Sequence, residues 1–61
     1  MNNLQKIMDK KEITDQELSE KSRVHINTIK LIRSGVFKTP RFKTLRKLAK
    51  ALGCTPKDIG G

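Results

Sequence analysis

Apolar residues recur three and four positions apart along this chain and never alternate for long with polar ones, which is the spacing of helices and not of strands. Five short helices follow from that spacing. Leu4, Ile7 and Met8 share one face of a first helix over about Asn3 to Lys11, and Ile13 enters the next connection. Thr14-Asp15-Gln16-Glu17 has the form of a capping box: the Thr14 hydroxyl accepts from the backbone N–H of Glu17, and the Glu17 carboxylate accepts from that of Thr14. A second helix therefore starts there, with Leu18 and Ser22 facing inward. A third begins near His25 and ends at Ser34, because Gly35 can take the left-handed conformation that closes a helix. Val24, Ile29 and Ile32 form its buried side. After a loop, Val36-Phe37-Lys38-Thr39-Pro40, the residues Phe42, Leu45, Leu48, Ala49 and Leu52 trace the inner stripe of a fourth helix stopped by Gly53. Thr55 then caps a last short helix with Pro56 at its first position and Ile59 turned inward. The fold class this predicts is all-α, a compact five-helix arrangement in a single domain, residues 1–61.

A chain of 61 residues buries only about 60% of the surface it exposes when unfolded, so its core is small and leaves little room for a deep catalytic pocket. Cys54 has no second cysteine to pair with, and no Cys/His cluster has zinc-ligand spacing, so neither staple supports the fold. A metal site or Cys-His nucleophile would have to be built from His25 and Cys54 alone. The chain reads as no enzyme, with no metal and no cofactor. No apolar run nears the roughly 20 residues of a membrane span, and the start lacks the apolar stretch of a signal peptide. The expectation is a cytoplasmic protein with no membrane partner.

Charge sharpens the picture through its distribution. The net charge is +8, the six acids lie at Asp9, Glu12, Asp15, Glu17, Glu20 and Asp58, and the stretch Lys21 to Lys57 carries eleven bases and no acid. Such a field attracts nucleic acid, anionic membrane or acidic protein, the first being the commonest reason for it. A basic surface kept for solubility is the plain alternative.

A helix-turn-helix needs a short gap, a small residue where the helices cross, and apolar residues that lock the crossing angle. Thr14 to Gly35 has each part: Ser19 is the small residue, Leu18 and Val24 bracket the turn, and Ile29 and Ile32 pin the third helix so that its opposite face projects. From the second helix onward the chain resembles the phage-repressor family of helix-turn-helix proteins, the lambda-repressor-like and Cro-like group. The matching residues are Ile13-Thr14, Glu17-Leu18, Val24, Thr28-Ile29, Ile32, Gly35, Pro40 and Leu48-Ala49-Lys50-Ala51-Leu52-Gly53.

The resemblance implies a sequence-specific transcriptional repressor or regulator of phage or mobile-element type. It would occupy an operator on double-stranded DNA with the recognition helix 25–34 in the major groove, as a weak homodimer completed on the DNA, without small-molecule substrate. Carried over position by position, the base-reading residues are Ile26, Asn27 and Thr28, with Lys30 and Leu31 following. Asn27 suits a bidentate pair with adenine, Ile26 or the Thr28 methyl suits a thymine methyl, and Lys30 suits a guanine or a phosphate. The plain reading of Asn27 and Thr28 is a favoured helix start, and of Ile26 a core residue. Phosphate contacts carry over to Thr14, Gln16, Lys38, Arg41 and Lys43, and His25 at the start of the third helix lies near phosphate too. Arg46, Lys47 and Lys50 read as a solvated face.

Three residues depart from the family pattern. Asp15 stands where the family often has a glutamine on phosphate, and a carboxylate there is repelled; its place is then at the positive end of the second helix, with Gln16 taking over the contact. Arg23 occupies a turn position usually held by glycine. Arg33 replaces a glutamate whose basic partner falls at Met8, leaving Asp9 or Glu12 as its expected partners. Val36-Phe37 either folds back onto the core or joins a dimer contact. A different use of the same fold stays open as well, a protein-interaction module of antitoxin-like or host-takeover type. RNA binding is disfavoured because only Phe37 and Phe42 could stack on bases.

Overall fold

Thr14 shows how local chemistry sets the first boundaries of the fold. In a computed structural model describing residues 3–36 and 41–60, its hydroxyl accepts from the Glu17 N–H at 3.1 Å. The Thr14 N–H in turn donates to Glu17 Oε1 at 3.4 Å, which completes the capping box. The helices are α1 (Leu4–Lys11), α2 (Asp15–Ser22), α3 (Ile26–Ser34), α4 (Phe42–Leu52) and α5 (Pro56–Gly60), with no strand among the described residues.

Each of the first four helices stops at a residue in the left-handed region. Gly35 (φ 88°) closes α3 and Gly53 (φ 73°) closes α4, where the Cys54 N–H reaches back to the Ala49 carbonyl at 2.9 Å. The same job falls to Glu12 (φ 54°) after α1 and Arg23 (φ 60°) after α2. An L side chain in that region costs roughly 1–2 kcal/mol, so Arg23→Gly is expected to stabilise the domain by about 1 kcal/mol. Thermal denaturation of the pair checks this, and a lower melting temperature for the glycine variant would contradict the turn geometry.

The core joins Leu4 and Met8 of α1, Leu18 of α2, Val24 of the turn, Ile29 and Ile32 of α3, Leu48, Ala49 and Leu52 of α4, and Ile59 of α5. The residue before α1 is tied to α5: the Asn3 N–H donates to the Ile59 carbonyl at 2.8 Å and Asn3 Nδ2 to the Asp58 carbonyl at 3.2 Å. At the start of α5 the Asp58 carboxylate accepts from the Thr55 N–H at 3.0 Å, and the Asp58 N–H donates to Thr55 Oγ1 at 3.3 Å. The Thr55 backbone N–H first, and the Thr55 side chain second, hold the Asp58 carboxyl below the usual carboxylate range.

Two expectations are corrected. Phe42 does not belong to the inner stripe of α4; it is 65% exposed. Helical spacing fixes the direction in which a side chain points, but not whether a neighbour reaches it, and Phe42 is the first residue of its helix. Its ring instead has the Arg46 guanidinium 5.9 Å from its centroid, one turn along. Arg33 meets neither Asp9 nor Glu12. Its Nη2 donates to Asp15 Oδ2 at 2.9 Å, while Asp9 accepts from Gln5 and Glu12 sits in the left-handed turn that ends α1.

Candidate nucleic-acid interface

The turn between α2 and α3 is held by two serine hydroxyls. Ser19 Oγ donates to the Val24 carbonyl at 2.7 Å, and Ser22 Oγ donates to the Leu18 carbonyl at 2.6 Å while accepting from the Val24 N–H at 3.2 Å. A buried backbone polar group needs such a partner, and here side chains supply it in a turn with few backbone bonds of its own. Val24, only 8% exposed, plugs the turn into the core. The small size of Ser19 was legible in the sequence; its bond to a carbonyl five residues away was not.

His25 caps α3, its Nδ1 accepting from the Asn27 N–H at 3.1 Å. An accepting Nδ1 puts the proton of a neutral imidazole on Nε2, leaving that nitrogen as a donor toward solvent. Beyond the cap, α3 divides cleanly. Ile29 and Ile32 are fully buried, whereas Asn27, Lys30, Leu31 and Ser34 are exposed at the spacing that puts them on one face. Ile26 and Thr28 are half-buried at the edge of that face. Ser34 shares the face but uses its hydroxyl locally, donating to the Leu31 carbonyl at 3.0 Å.

The sequence-derived phosphate residues sit on two helix starts. Thr14 and Gln16 are exposed at the start of α2, although the Thr14 hydroxyl is already engaged in the cap. Arg41 is the extended N-cap residue of α4, and Lys43 lies in its first turn, which holds no acid. The start of α2 differs, since its first turn holds Asp15 and Glu17. Lys38, along with Phe37 and Pro40, lies outside the described residues.

Other chemistry is thin. The Cys54 thiol is pushed up in pKa by burial and then by the Asp58 carboxylate, against a smaller opposing effect of Lys11, so it stays protonated near neutral pH. Among the described residues no group of three or more His, Cys, Asp or Glu side chains could hold a metal ion, and no helix is long and apolar enough to cross a membrane. Phe42, Arg46, Lys50, Cys54 and Pro56 border an open groove of about 700 Å³ along α4.

A capped helix pair with a serine-stitched turn, a second helix pinned by isoleucines and an outward face of polar and basic residues define a helix-turn-helix DNA-binding protein. Residues 3–60 match the model of the Cro/C1-type HTH DNA-binding domain, and the chain belongs to that family. No curated protein and no solved structure matches it.

Proposed function

We propose that this chain is a transcriptional regulator of phage or mobile-element type that represses by occupying a specific duplex operator. In this reading residues 1–61 work as one cytoplasmic domain without catalysis. The observation that carries it is the exposed face of Asn27, Lys30 and Leu31 on α3, set within the acid-free stretch from Lys21 to Lys57. Lying in the major groove, that face reads bases: Asn27 through adenine N6 and N7, Ile26 or Thr28 through a thymine methyl, and Lys30 and Leu31 at the next position. Gln16, His25, Lys38, Arg41 and Lys43, with the backbone at Thr14, take the flanking phosphates. Two copies pair weakly on the DNA, their recognition helices roughly 34 Å apart to suit half-sites one helical turn from each other.

Selection of bound sequences from random duplex DNA tests this reading. A palindromic consensus supports it, and recovery of random sequence overturns it. On the selected site, Asn27→Ala should cost about 1–3 kcal/mol and relax preference at one base pair, because one bidentate contact is lost. Binding measured across single-base operator variants reads that out; an unchanged profile removes Asn27 from the reading set.

The exposed Phe42 ring favours a second reading, a module that holds a partner protein through a mainly apolar contact. The salt dependence described below separates the two.

A further inference from the structure

Asp15 is out of place by charge. It stands in the first turn of α2, the helix start proposed above to face phosphate, where a free carboxylate repels DNA. The structure resolves the conflict by turning that carboxylate away. Its side chain is 18% exposed, Oδ2 accepts from Arg33 Nη2 at 2.9 Å, and Oδ1 is buried and accepts no hydrogen bond among the described residues. A buried carboxylate oxygen with no donor costs free energy that a solvent-facing rotamer avoids. The inward pose is therefore held by the guanidinium.

Arg33 is itself held. Its Nη1 donates to Gln5 Oε1 at 3.1 Å, and Gln5 Nε2 donates to Asp9 Oδ1 at 2.8 Å. The bonds run from α1 through α3 to α2, so the position of the Asp15 carboxylate is set by the packing of three helices.

We propose that Arg33 is a positioning residue for DNA binding. It draws the Asp15 carboxylate inward and offsets its charge, so that of the two acids in the first turn of α2 only Glu17, engaged with Thr14 in the capping box, remains where the helix start faces a phosphate. The proposal rests on the reading of that helix start given above. Because every duplex presents the same phosphates, the effect is independent of base sequence.

Fluorescence anisotropy at low salt, on the selected duplex and on an unrelated one, tests this with variants first shown to fold by thermal melting. Arg33→Met should weaken binding to both duplexes by about tenfold through the freed carboxylate. Adding Asp15→Asn should restore both affinities to within about twofold of the parent, the repelling charge being gone. Adding Glu20→Gln instead gives the same net charge and should restore neither, since Glu20 is exposed farther along α2. If Arg33→Met does not fold, Arg33→Gln replaces it with the same expectations.

Parent-like binding by the Arg33 variant overturns the proposal. Rescue by Glu20→Gln equal to that by Asp15→Asn also overturns it, because net charge alone then suffices. A folded double variant that Asp15→Asn fails to rescue leaves Arg33 a merely structural role. A parent chain that binds neither duplex overturns the DNA reading itself, and the proposal with it.

Discussion

Ile29→Ala is expected to leave the chain largely unfolded at room temperature. Ile29 is fully buried where α3 meets the core. Removing a side chain of that size from a packed site costs about 2–5 kcal/mol, through lost transfer free energy and the cavity left behind. A single core in a chain this short supplies roughly 3–5 kcal/mol of stability, so the loss is comparable to the whole. Leu31→Ala, two residues along the same helix but 38% exposed, should change stability by less than about 0.5 kcal/mol. Helical circular dichroism against temperature checks the pair. A cooperative melt of Ile29→Ala near that of the parent would mean that α3 is not pinned as described.

Affinity for duplex DNA is expected to fall about a hundredfold between roughly 50 and 200 mM monovalent salt. Taking Lys38, Arg41 and Lys43 as the cations on phosphate and Lys30 as a fourth cation brought into the groove, each copy displaces about four counterions, which gives a slope of about −3.6 in log affinity against log salt. A fourfold rise in salt then removes about two powers of ten, and a pair of copies on one operator doubles the slope. Arg41→Ala should reduce the slope by about one, whereas Asn27→Ala should leave it alone while relaxing base preference. Titrations of the three proteins at several salt concentrations separate these outcomes. A flat response in the parent would favour the protein-interaction reading, since an apolar contact releases no condensed counterions.

Much of this is legible in the sequence alone. The capping box at Thr14 and Glu17 involves residues three apart, and Gly35 and Gly53 close the helices they follow, so each is written in a few adjacent letters. The left-handed turn at Arg23 was less readable, since it followed only if the turn kept the family's conformation at a position usually held by glycine, as it does. Helical spacing correctly placed Leu4, Leu18, Ile29, Ile32, Leu48 and Ile59 inside. Spacing failed at Phe42, whose position at the start of α4 sets it outside the packed stripe. It was silent on the serine stitches at Ser19 and Ser22, for which the only signal was two hydroxyls flanking a turn with few backbone bonds.

The sequence by itself determined the helices, the caps at Thr14, Gly35, Gly53 and Thr55, the inner faces of α2 and α3 and the basic stretch, because those depend on neighbours within about one helical turn. Only the tertiary structure decided that Arg33 meets Asp15 and not Asp9 or Glu12, that Asn3 ties to the last helix, and that Phe42 is left in solvent. Those outcomes turn on how separate helices approach one another. Periodicity along a single helix carries no information about that approach.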